Sequence, residues 1–357
     1  MPGKAFLVLV GSFSTYISSL KFTVSPPSLT LVTQTASGGA PSWLLQSPFN
    51  ASIVYATDEL PDGSLNSLVI NKPSGNLTHI DTISTQGQYP THIGAVLDGN
   101  TLGVANYYGS SEFVVSLKKD HLHFAGSEQL VAFNGSGPMP QQLSSHPHQV
   151  IKNGDETVVV DLGSDKIWRT SLNRAGKWVV RDSISQKAGS GPRHAVITGG
   201  MIYTLCELSN NLTQHTLPAL GSGKPKLVTT QSITPPGTPA NLSTPLAAAE
   251  LLYADDPVPL LYASNRNDPH PKGDAITVFK LQPKLQPVAY VRTGLNYLRG
   301  VAFLGPQKEY VIAAGMLGGG IKVFKRVPAA QGYLSEVAHL PNGTVVQPSS
   351  FVWVDWN

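Results

Sequence analysis

One short pattern recurs along this 357-residue chain at nearly even intervals, and it constrains the fold more than any other feature. A proline or apolar residue, one variable residue and then an apolar run occur as APSWLLQSP, YPTHIGAV, HPHQVI, GPRHAVI, LAAAELLY, YLRGVAF and QPSSFVWV. The leading residues Pro41, Pro90, Pro147, Pro192, Ala247, Leu298 and Pro348 are spaced by 49, 57, 45, 55, 51 and 50 positions. Six of these segments are followed, after a turn, by a second apolar run with a small or polar end: IVYATDE, LGVANYY, VVVDLGS, YTLCELS, LYASNRN and VIAAGML. A seventh copy of the second run, LVLVGSF, stands near the start of the chain with no first run before it, while QPSSFVWV has no second run after it. The two complete one unit between them. A period near 50 residues suits four strands and their turns. The expectation is therefore a single all-β domain over residues 1–357, a seven-bladed β-propeller with four-stranded blades, closed by strands from both termini so that no sheet edge is left open. An irregular pair of β-sandwiches is the alternative. Helical 3.6-residue periodicity is absent, which argues against a two-domain enzyme built on helices.

Composition agrees and removes several function classes. With 34 Gly and 28 Pro among many Val, Ile, Leu and Thr residues, the chain favours short strands joined by turns. Its net charge of +3 comes without Lys/Arg runs, so no nucleic-acid footprint or membrane-surface patch is expected. No apolar run approaches the roughly 18 residues of a membrane span. Cys206 is the only cysteine, which leaves no internal disulfide and no multi-cysteine zinc site. The opening MPGKAFLVLVGSFSTYISSL has the look of a signal peptide but reads as a hairpin the fold needs, and points to a cytoplasmic protein. Six Asn-x-Ser/Thr sites, at Asn50, Asn76, Asn134, Asn211, Asn241 and Asn342, point instead to secretion.

Equivalent positions in successive blades lie at similar heights around a propeller's channel, so aligned repeats nominate a site. The variable position gives Ser42, Thr91, His148, Arg193, Ala248, Arg299 and Ser349. The end of the second run gives Gly11, Asp58, Asn106, Asp161, Glu207, Asn265 and Gly315, with Arg266 beside Asn265. Charges near a crowded axis must be hydrated or paired, so these two rings imply a polar pocket. His148 should face the axis and His146 should lie in the preceding loop. Alone, His148 would read as a packed histidine satisfied by backbone; its company with Arg193 and Arg299 argues against that. A metal site on His146, His148 and His194 is a further reading, opposed by the neighbouring arginines, which would repel a divalent cation. Strand alternation sends Cys206 to the face opposite Glu207, where it packs. No Gly-x-Ser-x-Gly elbow, His-Glu-x-x-His, phosphate loop or dinucleotide fingerprint occurs, so no cofactor is expected.

The segments HPHQV with VVVDLGSDKI, GPRHAVI with CEL, LYASNRND, and LRGVAF with YVIAAG resemble, in order and spacing, the lactonase family of seven-bladed propellers. That family contains bacterial 6-phosphogluconolactonases and fungal 3-carboxy-cis,cis-muconate lactonizing enzymes. The resemblance spans essentially the whole chain. It implies a site on His148, Arg193, Glu207 and Arg266, with Arg299 a further candidate; the rings add Asn265 and Asp161 as substrate-binding residues. AGMLGGG in the last blade and the insertion NDPHPKGD after Arg266 depart from the family pattern and would alter the pocket rim. The expected partner is a small anionic acid that forms or opens a lactone, held by arginines without a metal, with His148 moving a proton and Glu207 orienting it. A lactone-forming cycloisomerase of the carboxymuconate type ranks first, a 6-phosphogluconolactonase or other sugar-lactone hydrolase second, and a non-catalytic binding propeller third.

Overall fold

The computed structural model describes residues 4–327 and 333–356. Among them are seven four-stranded antiparallel sheets and no helix. In six sheets the strands follow chain order from the channel outward, beginning with Leu44–Gln46, Pro90–Val96, Pro147–Asn153, Pro192–Thr198, Ala247–Ala254 and Asn296–Leu304 as innermost strands of blades one to six. Blade seven is composite. Its innermost strand is Pro348–Asp355, and Ala5–Ser12, Tyr16–Val24 and Pro27–Ala36 follow outward. Phe6 pairs with Asp355, Val8 with Trp353 and Val10 with Phe351, which is the closure that the unmatched terminal segments require. The innermost strands touch one another in sequence around the ring, the seventh against both the sixth and the first.

Seven apolar clusters hold the ring, one at each blade-to-blade junction. Leu7, Leu9 and Val354 of blade seven meet Leu44, Val54 and Leu68 of blade one. Val158, Val160 and Ile184 of blade three meet Ala195 and Ile202 of blade four. A blade therefore has two buried faces, which is why its second strand is a continuous apolar run rather than an alternating one. Ala5–Ser12, Thr101–Asn106 and Glu156–Asp161 are buried at every position, whereas the outer strand Leu227–Ser232 alternates toward solvent. The stretch that resembles a signal peptide supplies two of these strands. The glycine run of MLGGGIK closes a hairpin at Gly319 and Gly320, both at positive φ (+82° and +71°). Asn50, Asn76, Asn134, Asn241 and Asn342 are exposed and Asn211 half-buried, so five of the six glycosylation sequons are sterically open. No described helix is long and apolar enough to cross a membrane.

Candidate active site

The innermost strands present side chains to the channel through a repeated irregularity. In blade three Pro147 pairs with Asp161 and Gln149 with Val160, so His148 has no partner in the ladder. Thr91, Arg193, Arg299 and Ser349 are skipped in the same way in blades two, four, six and seven. Such a bulge frees one residue from pairing and re-aims it. Each of the variable positions at these bulges is thereby turned out of its sheet, and four of the five reach one cavity of about 210 Å³ on the axis. That cavity is lined by Glu59, Thr91, Tyr107, Tyr108, His148, Arg193, Glu207, Arg266, Tyr297 and Arg299.

Five of the seven nominated site residues thus come together: His148, Arg193, Glu207, Arg266 and Arg299. Asp161 and Asn265 do not. Asp161 is fully buried and occupied by its own turn, accepting from Ser145 Oγ (2.5 Å), the His146 N–H (2.7 Å), the Gly163 and Ser164 N–H groups and Trp168 Nε1 (2.8 Å). Asn265 Oδ1 accepts from the Ala275 N–H at 2.9 Å. The cause is register. The second-strand residue that belongs with Glu207 is marked by one backbone hydrogen bond repeated in five blades: the N–H groups of Phe13, Glu59, Tyr107, Leu162 and Glu207 donate to the carbonyls of Gln347, Ala40, Tyr89, His146 and Gly191. The sequence ring used Asp58, Asn106 and Asp161, one residue early, and a one-residue slip in a strand exchanges its faces. Counted correctly, the ring contains Glu59 and Tyr107, both of which line the cavity and both of which the sequence reading missed. Tyr297, at φ +60° just before Leu298, was also missed.

Glu207 is the electrostatic centre. Its carboxylate lies 2.8 Å from Arg266 Nη2 and 3.2 Å from Arg193 Nη1. These two guanidiniums are further fixed by backbone carbonyls: Arg193 Nε donates to Ala249 at 3.0 Å and Arg266 Nη2 to Ala248 at 2.9 Å. Arg299 instead stacks over the Phe13 ring at 4.6 Å. Burial pushes the Glu207 carboxyl up, but Arg266, Arg193 and Arg299 together hold it below the ordinary range, so it is ionised. Glu59 is opposite in sense: burial outweighs Arg299 and holds its carboxyl above the ordinary range. Two carboxyls whose surroundings drive them apart are suited to different roles in one reaction. His148 donates nothing to Arg193; its Nε2 accepts from Arg193 Nη1. Burial first, and then Arg193, His194 and Arg299, hold its imidazole far below the usual range, so it is neutral.

Three histidines considered as metal ligands have separate partners. His146 Nδ1 meets the Tyr107 carbonyl at 3.0 Å, His148 meets Arg193, and His194 Nδ1 meets Glu250 at 2.8 Å. Among the described residues no three His, Cys, Asp or Glu side chains are grouped to hold a metal. Cys206 is buried, and burial pushes its thiol up to about 12. A larger cavity, about 950 Å³, lies away from the axis between blades four and five and has one charged side chain in its wall, Lys284. It has no group of acids, bases and cations comparable to the axial site.

The axial pocket of this seven-bladed propeller thus gathers three arginines, two carboxyls and a neutral histidine. Residues 7–350 match the family described as Lactonase, 7-bladed beta-propeller, and the chain belongs to it. It is 25% identical over 325 residues to a 6-phosphogluconolactonase of Bacillus subtilis (strain 168), covering 88% of this chain and 87% of that one. A 6-phosphogluconolactonase of Formosa agariphila is 26% identical over 324 residues, covering 87% and 86%. Among solved structures, the periplasmic gluconolactonase PpgL of Pseudomonas aeruginosa superposes with a TM-score of 0.85 at 24% identity, covering 98% of this chain and 99% of that one, a likeness of fold.

Proposed function

We propose that this protein hydrolyses a small anionic sugar lactone, of the phosphorylated aldonolactone kind, in the axial pocket. The observation that carries the reading is the grouping of Arg193, Arg266 and Arg299 with the neutral His148 around about 210 Å³ of space. With Glu207 ionised and Glu59 held toward its neutral form, the pocket carries excess positive charge, which favours an anionic ligand. The names of the sequence relatives support lactone opening over lactone formation, which reverses the order in which the sequence ranked cycloisomerase and hydrolase.

In this reading His148 takes a proton from water as the water oxygen attacks the lactone carbonyl. The carbonyl oxygen gains the electron pair and is held by the guanidinium N–H groups that line the pocket. Collapse of the tetrahedral intermediate breaks the bond to the ring oxygen, which takes its proton from neutral Glu59. Glu207 keeps Arg266 in place.

The test is a panel of 6-phosphoglucono-δ-lactone, glucono-δ-lactone and 3-carboxymuconate, with proton release read by an indicator dye and muconate loss by ultraviolet absorbance. Lactone opening faster than in buffer alone, fastest for the phosphorylated lactone and lost in His148→Gln, is expected. Loss of muconate absorbance without lactone opening would restore the cycloisomerase reading; no turnover of any of the three would leave the binding propeller.

A further inference from the structure

Beneath the pocket the channel holds a second buried pair with no part in the chemistry above. His194 Nδ1 lies 2.8 Å from Glu250 Oε2, and the two side chains are 1% and 6% exposed. Glu250 reaches the channel because blade five departs from the other bulges. There Ala248 pairs with Asn265 and Leu251 with Ala263, so the skipped residues are Ala249 and Glu250. The His194 and His148 rings are neighbours, with centroids 5.1 Å apart at an interplanar angle of 63°.

The hydrogen bonds fix both tautomers. Arg193 can only donate, so His148 Nε2 is the acceptor and Nδ1 carries the hydrogen in the neutral ring. The Glu250 carboxylate accepts from His194 Nδ1, so His194 Nε2 is bare. The two ring nitrogens left over, His148 Nδ1 and His194 Nε2, are both buried and without a hydrogen-bond partner. One is a donor and the other an acceptor. Two unsatisfied groups of complementary kind on neighbouring rings, in an interior where about nine in ten such groups are paired, mark a connection between the rings.

We propose that His148, His194 and Glu250 form a proton relay, in which His194 and Glu250 are positioning residues that act through His148; the proposal rests on the lactone-hydrolysis reading. An anionic substrate draws the Arg193 guanidinium away and frees His148 Nε2. Water gives its proton to that nitrogen as its oxygen bonds to the carbonyl carbon. The proton on His148 Nδ1 passes to His194 Nε2, directly or across one water. His148 ends neutral, and His194 ends as the imidazolium beside Glu250.

The electrostatics give the relay its purpose. The charged and titratable groups facing His148 are Arg193 and His194 of blade four, Arg299 of blade six, His92 of blade two and the Tyr107 phenol. A positive charge cannot rest there at small cost. Around His194 stand the same arginines, His92, His148 and the Trp43 ring, but also Glu250, whose carboxylate works against the effect of burial on the imidazole. The relay moves the positive charge from a site ringed by guanidiniums to one with a counterion. Glu250 also borders a second axial cavity of about 210 Å³, with Trp43, Gln149 and Ser350 in its wall.

Nitrogen-15 NMR of histidine-labelled protein tests this without any substrate. Both His148 and His194 should appear as Nδ1–H tautomers, and on acidification His194 should take its second proton before His148. An Nε2–H tautomer at either ring, or His148 charging first, would overturn the relay. If the protein opens no lactone, the tautomers still decide the matter, so failure of the functional reading stays separate. In the active enzyme, Glu250→Gln and His194→Gln should lower kcat about tenfold or more with KM within about threefold. Glu250→Gln should also move the ascending limb of the kcat–pH profile to lower pH, because the conjugate acid has lost its counterion, and Glu250→Asp should recover part of both. Folded variants with the parent's kcat and limb would refute the proposal; should either variant fail to fold, the tautomers and the order of protonation in the parent protein settle whether the relay exists.

Discussion

Replacing Glu207 by Gln isolates the charge balance of the pocket. The substitution preserves shape but removes the one carboxylate that sits within 3.2 Å of both Arg193 and Arg266, leaving two guanidiniums with 3% exposed side chains facing each other and Arg299. Removing one partner of a buried ion pair costs about 3–5 kcal/mol. The Glu207 side chain keeps 19% exposure, so the lower end applies. Unfolding entropy scales with length, and for a chain of this size is roughly 0.75 kcal/mol per kelvin, so about 3 kcal/mol corresponds to a fall in Tm of about 4 °C. The loss then shrinks with an anion present. In the parent, Glu207 competes with any bound anion for the two guanidiniums; in the variant nothing does. Inorganic phosphate at about 10 mM should therefore raise the Tm of Glu207→Gln by more than it raises that of the parent, recovering much of the loss through linkage. Scanning calorimetry with phosphate and with chloride at matched ionic strength measures both effects. A variant as stable as the parent, or equal phosphate shifts in the two proteins, would refute the account of Glu207 as the neutralising group.

Further substitutions probe the other residues. Arg193→Ala and Arg266→Ala should each weaken kcat/KM for an anionic lactone at least about tenfold, the worth of a charge-assisted contact, while the exposed Arg174→Ala leaves it unchanged. Arg326 is not a suitable control, since it is buried against Tyr262 and Asp256 and its loss would cost stability. His148→Gln should lower kcat by about a hundredfold, whereas His146→Gln should act through stability alone: the His146 ring stacks on Tyr107 at 4.6 Å, so a lower Tm with kcat retained is expected. Glu112 is fully buried between Thr157 and Thr170, and burial pushes its carboxyl from an ordinary 4.5 to about 7. The folded state therefore holds this proton through a window in which the unfolded chain has lost it, and stability falls as pH rises from 4.5 to 7. Urea titrations should find Glu112→Gln more stabilising at pH 8 than at pH 5 by about 2–3 kcal/mol.

The blades were legible because each begins with a fixed sign, usually a proline, which in five of the seven stands one residue before the bulge. Counting from that sign places Thr91, His148, Arg193 and Arg299 without error. The second strand has no such sign at its end, since Glu59 follows Asp58 and Tyr107 follows Asn106 with nothing in the local sequence to say which belongs to the ring. Taking the end of the second apolar run gave Asp58, Asn106 and Asp161, whose side chains serve their own turns and strands. In Asp161 the structure shows why: a carboxylate that satisfies several N–H and O–H groups of its own loop has no capacity left for a ligand. Glu250 was hidden for a different reason. Its bulge falls at Ala249 and Glu250, out of phase with the other blades, and no column of aligned repeats contains it.

The composite seventh blade also orders events in time. Chains emerge from the ribosome N-terminus first and fold as they appear. Blades one to six can each assemble from contiguous sequence, but Ala5–Ser12 must wait through the synthesis of more than 300 residues for its inner partner Pro348–Asp355. Until then the ring has a gap beside Arg299, and Ser350 and Phe351 are missing from the wall below the site. A nascent or prematurely ended chain can thus own every residue of the pocket and still leave it open to water on one side. The pocket is enclosed only when the last strand of the ring is in place.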